Sequence, residues 1–170
     1  MSTNEESGFR GPQVCGLVGI TYRQLDYWAR TGLLRPSLTD AKGSGSQRVY
    51  SYQDVVELKV IKQLLDSGVN LQKARRAIEY LRNSGEDLAT ANLVLAQENT
   101  VLARSGEEIV DLLRGGQGVF NIIPLKGVVD EVDAAIVAFE QAKATQAKAT
   151  QAKATRADAP AGAQRAERAG

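Results

Sequence analysis

The sequence predicts a mostly α-helical protein with a little β-structure, divided into two small folded parts and a tail. Three observations carry this. Apolar residues recur at helical spacing through residues 11–82, and short runs bounded by turn residues replace them after residue 84. From Gln141 the pentapeptide Gln-Ala-Lys-Ala-Thr repeats three times to Thr155, with nothing larger than Ala or Thr available to bury.

Residues 1–10 are polar and are expected to be disordered. Gly11 to Val18 reads as a first helix, with Val14, Cys15 and Val18 on its apolar side, so Cys15 is read as a small buried hydrophobe. Val18-Gly19-Ile20 is a turn in which Gly19 can take a positive φ. Thr21 suits the N-cap of a second helix that buries Leu25 and Trp28. Gly32 stops that helix and Pro36 bars its continuation. Leu33-Leu34 and Arg48-Val49-Tyr50 are expected to pair as short strands around a loop, Thr39 to Gln47. Ser51 to Asp54 has capping-box order, with Asp at the third helical position. The third helix then carries Val55, Leu58, Ile61, Leu64 and Leu65 as its stripe. Gly68 breaks it, and Asn70 caps a fourth helix from Leu71 to about Arg82, with Ala74, Ile78 and Leu81 inward.

The predicted organisation is therefore a head at 11–83 with four helices and a two-stranded wing, then a small α+β domain at 84–140. In that domain Asn92 to Ala96 and Thr100 to Ala103 form a hairpin, Ser105 opens a helix to Leu113, Val119 to Ile123 is a strand, and Val128 to Phe139 is a helix. Residues 115–118, Gly-Gly-Gln-Gly, lack the Lys-Ser/Thr pair of a phosphate loop and read as a turn. Residues 141–170 are expected to be a mostly disordered basic tail, with transient helix near Phe139.

Charge follows the same division. Residues 10–83 hold 12 Lys and Arg against 6 Asp and Glu, whereas residues 84–140 hold 3 against 10. A basic head before an acidic second part suits a head that binds a polyanion. A single cysteine and no histidine exclude an internal disulfide, leave soft metals without their usual ligands and remove histidine-based acid/base chemistry. No enzyme activity, metal or cofactor is expected. The N-terminus has no signal-peptide core and no run is long enough to span a bilayer, so a cytoplasmic, nucleoid-associated protein without a membrane partner is expected.

The second helix places Arg23, Gln24, Tyr27 and Arg30 opposite Leu25 and Trp28. Arg can pair with guanine O6 and N7, and Gln with adenine N6 and N7, while the Tyr27 hydroxyl suits phosphate. Arg35, Lys42 and Arg48 surround a tip of Gly43-Ser44-Gly45-Ser46, where backbone amides can approach phosphates, and Arg75 with Arg76 can extend the basic surface. The candidate DNA-contacting set is Thr21, Tyr22, Arg23, Gln24, Tyr27, Arg30, Arg35, Lys42, Ser44, Gln47, Arg48 and Tyr50.

These residues carry a resemblance. Arg23 with Leu25, Tyr27-Trp28, Gly32-Leu33-Leu34, Pro36, Arg48-Val49-Tyr50, Asp54-Val55 and Gly68 to Leu71 occur in the order of the winged helix-turn-helix head of the MerR family of bacterial transcription regulators. The head followed by an α+β domain resembles an actinobacterial branch of that family. The resemblance implies a homodimer on double-stranded promoter DNA, at an inverted repeat. In that geometry the second helix lies in the major groove and the wing on the backbone or minor groove. It also implies RNA polymerase as a further partner, engaged through distortion of the promoter. Asp26 stands where the family often has Arg and is expected to orient a neighbouring cation. The family's long dimerisation helix is not evident after the head, and no effector is indicated. Two other readings stand beside this one. One is an architectural or excisionase-like DNA-bending protein; the other is a ligand-binding or enzymatic C-terminal module localised by a DNA-binding head.

Overall fold

A computed structural model of the chain describes residues 8–40, 42–43, 46–85, 92–96, 100–103 and 119–157. Their order is β1 (Phe9–Arg10), α1 (Gly11–Val18), α2 (Tyr22–Arg30), β2 (Val49–Tyr50), α3 (Tyr52–Asp66), α4 (Leu71–Ser84), β3 (Asn92–Ala96), β4 (Thr100–Ala103), β5 (Val119–Pro124) and α5 (Leu125–Ala157). A mostly helical head followed by a small α+β region is the class the sequence predicts.

The head forms where local signals and burial agree. Thr21 caps α2, its Oγ1 accepting from the Gln24 amide while Gln24 Oε1 accepts from the Thr21 amide at 2.9 Å. Such a cap stabilises a helix by about 1 kcal/mol. Ser51 and Asp54 make the same reciprocal pair at the start of α3, and Asn70 caps α4. The turn between α1 and α2 needs Gly19 at φ 79°, where any other side chain would be strained. Leu25 and Trp28 of α2 pack inward with Val14 and Val18 of α1 and Leu58, Ile61 and Leu64 of α3; all are buried.

Three expectations for this part change. Leu33 and Leu34 are not strands but a buried bend that seals α2 against the core. Their long apolar side chains are more stabilising inside than on a two-residue edge strand exposed to water. The strand Val49–Tyr50 pairs instead with Phe9–Arg10, residues expected to be disordered, and a single antiparallel bridge joins Thr39 to Val49. Gly8 permits this. A Cβ there would lie 2.2 Å from Val49 Cγ1, so any side chain would push the N-terminal strand off its partner. Cys15, expected to be buried, is only half-buried, because α1 rotates Val14, Leu17 and Val18 into the core instead; burial still pushes its thiol pKa up.

In the second part β3 is the central strand of an antiparallel sheet ordered β4-β3-β5, and the expected hairpin of β3 with β4 is present, with Leu93 opposite Leu102. Leu93, Val94 and Leu95 are buried in succession, as on a strand covered on both faces. The expected helix at 105–113 and turn at 115–118 lie outside the described residues. The helix expected at 128–139 is far longer: α5 runs 33 residues. The chain divides between Ala135 and Ile136 into two compact units. In the first, Leu125, Val128 and Val132 form the buried stripe of α5.

Residues 141–157, expected to be mostly disordered, are helical, with every described side chain exposed. Nucleation is the costly step of helix formation, and here the preceding turns of the same helix supply it; Ala-rich repeats then propagate. Each repeat's Thr hydroxyl donates to the carbonyl four residues earlier, as Thr145 does to Gln141 at 2.9 Å. Among the described residues no helix is long and apolar enough to cross a membrane.

Candidate nucleic-acid interface

The exposed face of α2 follows from its capping and its periodicity. With Leu25, Trp28 and Ala29 buried, Tyr22, Arg23, Asp26, Tyr27 and Arg30 occupy the opposite side. Tyr22 is 61% and Tyr27 49% exposed, unusual for aromatic residues with core available nearby. Thr21 and Gln24 are exposed too, but Gln24 Oε1 is engaged by the cap. Its Nε2 alone can donate outward, so a two-bonded contact to adenine would require opening the cap.

Asp26 organises this face. Its Oδ2 lies 2.8 Å from Arg30 Nε, one turn along the helix. Its Oδ1 accepts from Arg48 Nη1 at 2.7 Å, across to the residue that precedes β2. Arg48 Nε is also 3.4 Å from Asp40 Oδ1, an ion-pair distance without hydrogen-bond alignment. The Arg48 guanidinium, donating to the carboxylate, holds Asp26 below its ordinary pKa, with the charge of Arg30 adding to the effect. Asp26 reciprocally raises that of Arg48. The expectation that Asp26 orients a cation thus understates it: two are held, from two elements.

A groove of about 600 Å³ runs between the start of α1, α2 and the segment leading into β2. Arg10, Tyr22, Asp26, Gln47, Arg48 and Tyr50 line it. The structure separates the sequence-predicted residues into three groups. Arg23, Arg35, Lys42 and Gln47 are exposed, with Lys42 positioned by a bond from its amide to Ser46 Oγ. Arg30 and Arg48 are tied to Asp26, and the Arg48 side chain is only 17% exposed. Tyr50, expected among the contacts, is wholly buried at the floor of this groove. Its hydroxyl lacks a partner among the described residues, and burial raises its pKa to about 12. Ser44 lies outside the described residues.

Arg75 also departs from expectation. Rather than extending a basic surface, it donates from Nη2 to the carbonyl of Thr31 at 2.9 Å, satisfying the C-terminal end of α2. Arg76 is exposed.

Three features escaped the sequence reading. Glu57, 1% exposed, takes hydrogen bonds from Arg82 Nε at 2.7 Å and from Gln53 Nε2 at 3.4 Å. Asp54, also buried, accepts from the Ser37 amide and hydroxyl, both at 2.8 Å, which ties the bend to α3. Tyr52 donates to Asp133 at 2.6 Å and Lys59 pairs with Glu131 at 3.3 Å, so α3 of the head is bonded to the first turns of α5. A polar residue among apolar ones was the available signal for Glu57 at its place in the α3 stripe. Nothing local marks Tyr52 or Asp133.

Residues 9–81 match the family model described as MerR HTH family regulatory protein. An HTH-type transcriptional regulator of Mycobacterium tuberculosis is 49% identical over 144 residues, 83% of this chain and 63% of the relative. The chain thus spans a little under two thirds of that relative's length. The nodulation protein NolA of a Bradyrhizobium species is 27% identical over 142 residues, 84% of this chain and 56% of that protein. The HTH-type transcriptional regulator GlnR of Bacillus cereus is 32% identical over 73 residues, 43% of this chain and 54% of its own. Residues 9–81 of this chain are a helix-turn-helix head of the MerR family.

Proposed function

We propose that the protein is a DNA-binding transcription regulator and not an enzyme, reading double-stranded promoter DNA with α2 and steadying itself on the backbone with the wing. The observation that carries this is the exposed face of α2: Tyr22, Arg23 and Tyr27 point outward from a helix whose other side is locked into the core. The names of the relatives, regulators of transcription, support the same reading.

In this account Arg23 reads a guanine edge and Gln24 donates from Nε2. Tyr22 and Tyr27 meet phosphate or sugar, and Arg35, Lys42 and Gln47 follow the backbone from the wing. The protein acts as a homodimer on an inverted repeat, with RNA polymerase as a further partner and the bacterial nucleoid as its place of action. The second part, bonded to α3 through Tyr52 and Lys59, carries dimer or effector contacts.

The test is selection of bound duplexes from a random pool by the full chain, then titration of the selected duplex. Arg23→Ala should weaken it about 10-fold to 100-fold, the loss of one base-reading pair, and relax the preference at one position. Lys42→Ala should weaken selected and random duplexes alike. An unenriched pool would refute the reading.

A further inference from the structure

The face of α2 presents a carboxylate where a phosphate backbone must approach, which is unfavourable unless something offsets it. Asp26 is offset twice, by Arg30 at 2.8 Å and Arg48 at 2.7 Å. With Asp40, 3.4 Å from Arg48, the two carboxylates and two arginines carry no net formal charge, against +2 for the two arginines unpaired. The arrangement also has a mechanical side. Arg48 comes from the wing base and Asp26 from α2, so the bond fixes the wing relative to the helix before any ligand arrives. Most of the Arg48 side chain is covered, while that of Arg30 is 68% exposed yet turned back along its own helix.

Resting on the DNA-binding reading above, we propose that Asp26 is a specificity-setting positioning residue. It withholds Arg30 and Arg48 from phosphates and pins the wing to the recognition helix. Two withheld cations lower the sequence-independent attraction to any duplex, because that attraction grows with each phosphate neutralised. Base contacts from the same helix are untouched by the restraint, so the ratio of specific to nonspecific affinity rises. The restraint depends on water and geometry together. Arg48 is restrained under cover and Arg30 in the open, so Arg30 is the cation that loss of the carboxylate frees most directly.

Asp26→Asn in the full chain, titrated against the pool-selected duplex and a random duplex of equal length over a salt series, tests this. The random duplex should bind about 10-fold more tightly at low salt, with the slope of log Kobs against log salt steeper by about one to two. The selected-to-random ratio should fall. Asp26→Glu, which keeps the charge, should restore much of that ratio. Arg30→Gln supplies an independent arm: it should leave the slope of the unmodified chain unchanged, and lower that of the Asp26→Asn chain by about one. An unchanged ratio and slope in folded Asp26→Asn, or weaker binding to random duplex, would overturn the proposal. If Asp26→Asn fails to fold, Arg30→Gln alone decides, since a slope reduced by about one means Arg30 already meets phosphate. Absence of duplex binding by the unmodified chain would instead refute the underlying DNA-binding reading.

Discussion

Asp26 and Glu57 each hold an arginine through a bond of 2.7 Å, yet the two sites differ in nearly every physical respect. Asp26 sits on the surface of α2, its side chain 29% exposed, with two cations, one of them shared with Asp40. Glu57 is buried in α3 and receives Arg82 from α4, whose side chain is 41% exposed. The opposite pKa directions express the difference. Asp26 is lowered because Arg48 donates to it; Glu57 is raised because burial, the larger cause, outweighs the bond from Arg82. A surface carboxylate can lose a partner and remain solvated. A buried carboxylate with one cation cannot, since losing the partner leaves an uncompensated charge in the interior. The first arrangement suits a binding surface and the second a fixed joint between helices.

Breaking the joint should have the largest effect. Arg82→Ala is expected to destabilise the fold by about 2–4 kcal/mol, below the full cost of stranding a buried charge because Arg82 is partly exposed. Denaturant midpoints measure it, and a shift no larger than that of Arg76→Ala would refute the joint. The selected duplex should still be bound by the folded fraction.

A smaller effect, opposite in sign at the two sites, is expected from pH. Asp26 has a folded pKa below the ordinary 3.8, so its contribution is present above that value and lost as pH falls through the lowered one. Glu57 has a folded pKa above the ordinary 4.5, so its contribution is present below 4.5 and lost as pH rises through the raised value. Denaturation at a series of pH values should therefore show Glu57→Gln flattening the curve above about pH 4.5 and Asp26→Asn flattening it below about pH 4. Both variants changing the same limb would contradict the assignment.

Much of the head was legible because its signals are local. Thr21 with Gln24, Ser51 with Asp54, Asn70, Gly19 and Gly32 specify helix ends within three or four residues, and the stripe from Val55 to Leu64 fixes which side of α3 is buried. The outward set of α2 followed from Leu25 and Trp28 by spacing alone. What could not be read depends on partners distant in sequence. Tyr50 belongs to the core because β2 pairs with Phe9–Arg10, 40 residues away. Arg75 belongs to α2 because the fourth helix returns past Thr31, and Glu57 is tolerated only because Arg82 arrives from α4. The repeats misled for another reason. They cannot anchor themselves, but they need only continue a helix already nucleated before them.

The most direct measurement is the salt dependence of duplex binding by the unmodified full chain. With Arg35 and Lys42 meeting phosphate, Arg23 on a base edge, and Arg30 and Arg48 withheld, log Kobs for the selected duplex should fall against log salt with a slope of about −2 per bound copy. A slope of about −4 would mean that Asp26 withholds nothing, and a flat line would mean that no cationic surface of this head meets DNA.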